Sequence, residues 1–287
     1  MSHARVAYVT GGTVGAGHLV RGLAVGRGLT RRGFQGIYRM FGPALPYAVA
    51  QRPEYTTIPM AERELRDPTR APASALATAL RDFRPNLLVV DMFWAPLHHI
   101  LPLADCEAWL LIRTCPRVWL TGPQDMPFNG AQYARIIAIE PVRHAAIRER
   151  IDPIVVCNPD ECRPHDALRE RLRIAPNRPL VALMHAGLAG EVWQLEHDPN
   201  DEPAVFDLFA EDALFPLAEW LPGADRIIAA AGYNSFWEAR WLGYAERTQF
   251  TPLPRQIDDQ AWRVANCSRY AMKENGADTL AGWITSG

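Results

Sequence analysis

A histidine follows a glycine-rich loop near the start of the chain, where a predicted strand leads into a predicted helix. The loop extends from Gly11 to Gly17, and His18 comes directly after it. An imidazole in the first turn of a helix lies beside unpaired backbone N–H groups and the positive end of the helix dipole, which lower its pKa. A neutral imidazole that faces a cleft can take a proton from a hydroxyl group as a general base. Packing or capping at the helix start is the structural alternative.

Asp91 is the candidate to orient that imidazole. It ends the apolar run 86–91, which is typical of a strand buried in a parallel sheet. The carboxyl ends of parallel strands lie at the edge of the sheet where ligands bind. The sequence therefore predicts His18 and Asp91 as catalytic residues, with a capping role as the alternative for the carboxylate.

The glycine-rich loop matches neither of two common nucleotide-binding patterns. A P-loop needs Gly-Lys followed by Ser or Thr, and no lysine lies near this loop. A dinucleotide fingerprint that starts at Gly15 has its second glycine at Gly17, but its third position is Val20. The next predicted strand also lacks the acidic residue that would bind ribose. His18 therefore remains the feature of this loop that carries chemistry.

A strand, a turn and a helix in the C-terminal half repeat this arrangement. The apolar run 226–230 leads to Gly232, and Asn234 or Ser235 is the predicted N-cap of a helix. Free N–H groups at a helix start suit a phosphate. Glu238 lies one turn further along the same face, where its carboxylate could accept hydrogen bonds from a ribose diol. A first-turn glutamate that stabilises the helix dipole is the structural alternative.

Three polar residues near the start of the last long predicted helix are further candidates. Arg255 could face a phosphate, and Asp259 and Gln260 could bind sugar hydroxyls. A solvated acidic helix start is the structural alternative for Asp259 and its neighbour Asp258.

Strands and helices alternate in both halves, which predicts an α/β protein of two doubly wound parallel-sheet domains facing each other across a cleft. The sequence Asp152-Pro153 suits a linker, so the predicted domains are 1–151 and 152–287. Strands are predicted at 5–10, 35–40, 86–91, 108–113, 135–140, 154–157, 180–184, 226–230 and 247–251. Helices are predicted at 18–32, 73–82, 141–150, 166–173, 205–220, 234–242 and 258–272.

The composition excludes several classes of protein. A net charge of −2 over 287 residues argues against a dedicated nucleic-acid binder, which would be strongly basic. No uncharged apolar run is long enough to cross a bilayer, and the first residues lack the pattern of a secretory signal. Five cysteines without a Cys-x-x-Cys pair suit reduced thiols, and Cys157, Cys162 and His165 lack a fourth ligand for zinc. We expect a cytoplasmic protein without a metal site.

Charge is shared unevenly between the two halves. Residues 1–150 carry 18 basic and 11 acidic side chains, whereas the remaining residues carry 12 basic and 21 acidic ones. The halves could attract each other across an interface, or the first half could meet an anionic partner such as a phospholipid surface. The apolar stretch 92–97 could contact a lipid or a hydrophobic acceptor, with core packing as the alternative.

Taken together, these residues resemble a GT-B glycosyltransferase of the family 28 type, exemplified by the MurG N-acetylglucosaminyltransferases. Three segments carry the resemblance in order along the chain: Gly11-Gly12-Thr13 to Gly17-His18 with Gly22-Leu23-Ala24-Val25 and Arg32-Gly33; Ala231-Gly232-Tyr233-Asn234-Ser235 with Glu238 and Leu242-Gly243; and Phe250 and Pro252 with Asp258-Asp259-Gln260. One departure is the loop 184–190, which lacks the Gly-Gly-Ser type of sequence expected beside the donor phosphates and has Gly187 there.

The resemblance implies two Rossmann-like domains that face each other across a cleft, the first binding a hydroxyl acceptor and the second a nucleotide sugar, usually UDP-linked. It implies His18 as the base, without a metal or a redox cofactor. The implied acceptor loop contains Gly12, Thr13, Gly15 and Gly17. The implied donor site contains Gly187, Gly232, Asn234, Ser235, Glu238, Arg255, Asp259 and Gln260, in which Glu238 holds ribose and Arg255 steadies the departing diphosphate.

Two other functions fit the same residues. The Gly-x-Gly-His loop is also similar to that of PseG-type nucleotide-sugar hydrolases, in which the histidine activates water instead of a hydroxyl acceptor. A binding or scaffold protein could keep the fold without turnover. For a transferase, the sequence leaves open a lipid-linked acceptor and a peripheral contact with the inner face of the membrane.

Overall fold

The computed structural model of the chain describes residues 4–11, 16–45, 50–185, 191, 195, 203–207 and 214–286. Two parallel sheets form the frame, as the alternation of strands and helices predicts. The first has seven strands in the order β3-β2-β1-β4-β5-β6-β7, and the second has four in the order β11-β10-β8-β9. Every neighbouring pair of strands is parallel.

The strands of the first sheet are β1 (Arg5–Thr10), β2 (Ile37–Gly42), β3 (Tyr55–Thr57), β4 (Leu87–Asp91), β5 (Glu107–Ile112), β6 (Arg135–Ala138) and β7 (Glu149–Arg150). Its helices are α1 (Gly17–Arg31), α2 (Glu62–Leu65), α3 (Ala75–Phe83) and α4 (Trp94–Leu97). The second half contains β8 (Val181–His185), β9 (Pro203–Asp207), β10 (Arg226–Ala230), β11 (Thr248–Thr251), α5 (Ala167–Leu172), α6 (Tyr233–Trp241), α7 (Gln260–Cys267) and α8 (Gly276–Ser286).

The strand order reverses once in each sheet, and a glycine-containing stretch of the sequence follows at each reversal. In the first sheet β1 lies between β2 and β4, with Thr10 opposite Asp91 at their carboxyl ends. In the second sheet β10 lies between β8 and β11 and leads through Gly232 into α6. Ligands of open parallel sheets bind at such reversals. The fold therefore places both sequence motifs where an α/β protein binds its ligands.

The last helix of the chain packs on the first helix. A Cβ added at Gly28 of α1 would lie 2.5 Å from the carbonyl oxygen of Ala277 in α8. Arg31 Nε lies 2.7 Å from Asp278 Oδ1, and Arg31 Nη1 lies 3.0 Å from Glu161 Oε2. The C-terminal helix thus joins the second half of the chain to the first sheet, an element and a contact that the sequence patterns did not predict.

Substitution of alanine at Gly28 is expected to destabilise the fold by about 1–3 kcal/mol, because the new methyl group meets backbone atoms that cannot move aside cheaply. Gly282 of α8 is the matched control, since a Cβ there meets nothing within 4 Å and alanine favours a helix by up to about 1 kcal/mol. Denaturant unfolding of both variants measures the difference. Equal stabilisation by both substitutions would show that α1 and α8 do not pack at Gly28.

Three predicted elements are wrong for identifiable reasons. Residues 141–148 form irregular structure with one turn at 145–146 instead of a helix, and 149–150 pair with β6 as β7, which covers an otherwise open sheet edge. The predicted helix 205–220 is replaced by β9, which pairs with β8, and by a 3₁₀ helix at Leu217–Gly223 that contains Pro222. Residues 208–213 lie outside the described part of the chain.

The predicted strand 154–157 is a buried segment that pairs with no strand among the described residues. Its backbone bonds to side chains instead: Ile154 N donates to Tyr233 Oη at 2.8 Å, and Val155 N donates to Asn275 Oδ1 at 3.2 Å. Asn275 Nδ2 returns a hydrogen bond to the carbonyl oxygen of Val155 at 3.0 Å. Because side chains satisfy the backbone polar groups, the segment is buried without joining a sheet.

Candidate functional site

His18 and Asp91 meet where the order of the first sheet reverses. His18 lies in the first turn of α1, and its Nδ1 is 3.0 Å from Asp91 Oδ2 at the end of β4. The His18 side chain is 15% exposed, whereas Asp91 is fully buried. Met92, directly after Asp91, has a φ of 63°, a strained conformation for a residue with a side chain that is often found at functional sites. The two predicted catalytic residues are therefore in contact.

Two further side chains bind the Asp91 carboxylate. Arg21 Nε donates to Oδ2 at 3.0 Å and Arg21 Nη2 donates to Oδ1 at 3.1 Å, while Tyr8 Oη donates to Oδ2 at 2.9 Å. Burial alone would raise the pKa of Asp91, but the charge of Arg21 and the contact with His18 outweigh it and hold that pKa well below its usual value. The carboxylate is ionised at neutral pH and has a fixed orientation.

The pKa of His18 is lowered from its usual value of 6.5. Burial is the main cause. The negative charge of Asp91 opposes it, and the positive charges of Arg21 and Arg113 add to it. The expected direction is correct, although the sequence argument attributed it to the helix terminus. His18 is therefore neutral at pH 7, as a general base must be.

The start of α6 contacts the start of α1. Asn234 Nδ2 donates to the carbonyl oxygen of Gly17 at 3.2 Å, and the Arg21 guanidinium lies 4.9 Å from the centre of the Tyr233 ring. The Oδ1 atom of Asn234 is buried and has no hydrogen-bond partner among the described residues. The structure thus joins the glycine-rich loop of the first half to the strand–turn–helix motif of the second.

The helix start at α6 differs in one respect from the prediction. Asn234 and Ser235, predicted as caps, lie inside the helix, and the N-cap is Gly232, which has no side chain that could cap the amides. Within the described part of the chain, the amide groups of 233–235 have no hydrogen-bond acceptor. An uncapped helix start with free amides suits an anionic group.

Glu238 lies one turn into α6 and is 6% exposed. No ion pair or hydrogen bond to its carboxylate is found among the residues that the structure describes. Burial raises its pKa from 4.5 to about 7. A buried carboxylate without a protein partner carries a desolvation cost that a bound ligand could offset.

The three candidates near the start of α7 are held by protein partners. Arg255 Nη2 lies 2.5 Å from Glu191 Oε2. Asp259 is the N-cap of α7 and accepts a hydrogen bond from the Trp262 amide at 2.9 Å. Gln260 is buried, and its Oε1 accepts from the amide of Leu253 at 2.9 Å. Asp259 therefore has the structural role at the helix start that the sequence analysis gave as the alternative to sugar binding.

A buried charge cluster, which the sequence reasoning missed, links the first sheet to α7. It consists of Arg113, Glu140, Asp258 and Arg263. Arg263 donates to both oxygens of Glu140, at 2.9 and 3.1 Å, and to Asp258 Oδ1 at 2.6 Å. Arg113 Nη1 donates to the same Asp258 oxygen at 2.6 Å, and Trp237 Nε1 donates to Glu140 Oε2 at 3.0 Å.

One sequence pattern could have found half of this cluster. Arg113 and Glu140 each end an apolar predicted strand, at 108–113 and 135–140, as Asp91 does. Charged residues at such positions lie at the ligand-binding edge of a parallel sheet.

The apolar stretch 92–97 has the packing role instead of the lipid-contacting one, because Trp94, Ala95 and Leu97 are buried.

Four predicted site residues lie outside the described part of the chain: Gly12, Thr13, Gly15 and Gly187. Gly17 is the first residue of α1. In the described ranges, no cluster of His, Cys, Asp or Glu is arranged to hold a metal ion, and no helix is long and apolar enough to cross a membrane.

No protein-family model and no curated protein matches the sequence. Solved structures match the fold over 98–99% of this chain. The spinosyn forosaminyltransferase SpnP is 13% identical with a TM-score of 0.59, and the match covers 99% of this chain and 94% of that one.

Two further structures match the fold and hold ligands. Phytolacca americana UGT2, complexed with UDP-2fluoro-glucose and pterostilbene, is 12% identical with a TM-score of 0.54 and coverages of 99% and 90%. The Streptomyces sp. SF2575 glycosyltransferase SsfS6, complexed with thymidine diphosphate, is 11% identical with a TM-score of 0.52 and coverages of 99% and 95%. The chain therefore has the GT-B fold of these glycosyltransferases, as the sequence resemblance implies.

Proposed function

We propose that this chain is a glycosyltransferase that moves a sugar from a nucleoside diphosphate sugar to a hydroxyl acceptor. The observation that carries the proposal is the contact between His18 and Asp91, at the sheet reversal and beside the start of α6. A neutral imidazole held by a buried carboxylate is a base, and an uncapped helix start next to it suits a diphosphate. In this proposal residues 1–151 bind the acceptor and residues 152–287 bind the donor.

The proposed reaction is a displacement at the anomeric carbon. The His18 Nδ1–H group donates to Asp91, so Nε2 has the lone pair that takes the proton of the acceptor hydroxyl. The hydroxyl oxygen forms a bond to the anomeric carbon as the bond from that carbon to the diphosphate breaks. The ionised Asp91 stabilises the imidazolium formed, and the amides of 233–235 stabilise the charge on the departing diphosphate.

The donor site is proposed around α6. The free amides bind the diphosphate with Asn234 and Ser235, and the Glu238 carboxylate accepts hydrogen bonds from the ribose diol. Gln260 lies beside this helix start, since its Nε2 would be 3.9 Å from a Cβ added at Gly232. Arg255 could bind the donor only after it leaves Glu191. Asp259 could do so only after it releases the Trp262 amide.

The finer identity of the donor and of the family rests on the sequence resemblance. We propose a UDP-linked sugar and a family 28 type of enzyme on that basis. The ligands of the similar structures, UDP-2fluoro-glucose and thymidine diphosphate, support a nucleoside diphosphate and leave its base open between uracil and thymine.

Donor binding tests the proposal, with thermal stability measured against UDP-, dTDP-, GDP- and CMP-sugars. A donor at about 100 times its dissociation constant is expected to add about 2.7 kcal/mol of stability. The best binder is then incubated with candidate acceptors, and a glycosylated product supports the transferase. Release of free sugar in every mixture would indicate the hydrolase, in which water replaces the acceptor. Absence of stabilisation by all four classes would contradict a nucleotide-sugar site.

Replacement of Glu238 by Gln is expected to stabilise the free protein and weaken donor binding. The folded pKa of about 7 lies above the ordinary value of 4.5, so ionisation costs stability as pH rises from 4.5 to about 7. At pH 8 the amide avoids that cost, which is about 3 kcal/mol. The amide also has one neutral acceptor oxygen in place of two charged ones for the ribose hydroxyls, so the nucleotide-induced stabilisation should fall.

Thermal unfolding at pH 5 and pH 8, with and without the best-binding nucleotide, checks both effects. Glu219, a mostly buried glutamate paired with Arg27 at 2.6 Å, provides the control, since its replacement by Gln should destabilise the protein and leave donor binding unchanged. Unchanged nucleotide binding by the Glu238 variant would contradict the ribose role.

A further inference from the structure

We propose that Arg21 is the positioning residue that keeps His18 uncharged and holds Asp91 in the orientation that His18 needs. The inference rests on the proposed function for its consequence in catalysis, while the effect on His18 itself can be measured in the free protein. Arg21 lies three residues after His18, one turn along α1, and its side chain is 2% exposed. It contacts both members of the pair.

The guanidinium binds Asp91 side-on. Nε and Nη2 reach the two carboxylate oxygens at 3.0 and 3.1 Å, an arrangement that fixes the plane of the carboxylate as well as its charge. The Tyr233 ring lies against the guanidinium at 4.9 Å, so α6 supports Arg21 from the other side. Rotation of Asp91 away from His18 would break both hydrogen bonds to a buried arginine.

The same guanidinium also contacts His18 Nδ1. This nitrogen is 3.0 Å from Arg21 Nη2 and 3.0 Å from Asp91 Oδ2. Because a ring nitrogen either donates or accepts, the two contacts compete for it. The ionised Asp91 Oδ2 is the stronger partner because it is a charged acceptor, so we place the Nδ1 proton on the side of Asp91 and leave Nε2 with the lone pair. A doubly protonated ring would place a second positive charge beside the Arg21 guanidinium, whose Nη2 is 3.0 Å from the ring nitrogen.

The charges around His18 decide which form is stable. Among the residues that the structure describes, the charged groups that face it are Asp91 at the end of β4, Arg21 on α1 and Arg113 after β5. The hydroxyl of Tyr8 on β1 acts on His18 through its hydrogen bond to Asp91. Arg21 neutralises the carboxylate that would otherwise attract a proton to His18. Without Arg21, the negative charge of Asp91 would stabilise an imidazolium more strongly, and an imidazolium cannot accept the proton of the acceptor hydroxyl.

Imidazole ¹⁵N and ¹³C NMR titration between pH 4.5 and 9 tests the inference, with the His18 resonances assigned by their loss in His18→Gln. In the wild-type protein the midpoint should lie below 6.5, with Nδ1 protonated in the neutral form. In Arg21→Met the midpoint should rise by about one pH unit or more, because a neighbouring carboxylate loses its counter-charge. Arg21→Lys, which keeps the charge, should restore most of the wild-type value.

Tyr8→Phe is the matched control, since it removes one hydrogen bond from the same carboxylate without changing its charge. Its midpoint should stay close to that of the wild-type protein. A wild-type midpoint above 6.5, or an Arg21→Met midpoint equal to the wild-type one, would overturn the inference. Should Arg21→Met fail to fold, Arg21→Gln, which removes the charge and keeps a polar side chain, should show the same raised midpoint, and an unchanged midpoint there would equally overturn the inference.

The proposed function is tested separately from the inference. In an active transferase, the acid limb of the pH–rate profile should move to higher pH in Arg21→Met together with the NMR midpoint, and the rate at high pH should recover. A shifted NMR midpoint in a protein that transfers no sugar would leave the role of Arg21 standing and remove the proposed function.

Discussion

Replacement of His18 by Ala is expected to lower kcat by about 10²–10⁴-fold, the usual contribution of a general base. The KM for the nucleotide sugar should change little, because the proposed donor contacts come from α6 and not from the imidazole. Release of nucleoside diphosphate from the best-binding donor, measured with and without the acceptor, gives both constants. At saturating donor, the wild-type kcat should rise with pH below 6.5 and be flat above it, since burial lowers the pKa of the base.

A second histidine provides the control for this substitution. His165 is exposed and pairs with Asp166 at 3.2 Å on the surface of the second half. Its replacement by Ala should leave kcat and KM unchanged. A His18→Ala variant that retains the wild-type rate would remove the general base from the account and favour a binding or scaffold protein.

Replacement of Arg263 by Met is expected to destabilise the fold by about 3–5 kcal/mol, the cost of leaving a buried charge without its partner. Glu140 is fully buried and would lose two hydrogen bonds, and Asp258 would lose one. Since the folded pKa values of both carboxyl groups are lowered, the contribution of the cluster is complete above their ordinary values of 4.5 and 3.8 and is lost as pH falls through the folded values. Urea unfolding at pH 7 measures the loss.

The double variant Arg263→Met with Glu140→Gln separates the charge from the packing. The amide removes the buried negative charge, so a large part of the lost stability should return. A double variant that is less stable than Arg263→Met alone would show that Glu140 is stabilised by groups other than Arg263. In the described part of the chain, Trp237 and the Thr114 amide are the other donors to Glu140.

The sequence predicted the strands whose own residues form a continuous apolar run. The continuous apolar runs of β1, β4 and β10 predict buried parallel strands, and the glycines after β1 and β10 mark the turns into α1 and α6. The fold class followed from these elements, and so did the approach of His18 and Asp91. Asp91 ends β4 and His18 begins the helix that follows the neighbouring strand β1, and a topological rule places both at the carboxyl edge of the sheet.

Features that depend on distant partners could not be predicted in this way. The segment 154–157 has the composition of a strand, but side chains of Tyr233 and Asn275, 79 and 120 residues away, satisfy its backbone. The role of Arg21 is hidden for the same reason, since in the sequence it is one of several arginines along α1. The charge cluster needs α7 to bring Asp258 and Arg263 to the first sheet.

A crystal structure of the protein with its best-binding 2-fluoro nucleoside diphosphate sugar would show directly whether the two sheet reversals form one site. The account predicts diphosphate oxygens within about 3 Å of the amides of 233–235 and the ribose on Glu238. The anomeric carbon should face His18 across the space of one acceptor oxygen, about 6 Å from Nε2. A diphosphate bound away from α6, or an imidazole turned away from the sugar, would contradict it.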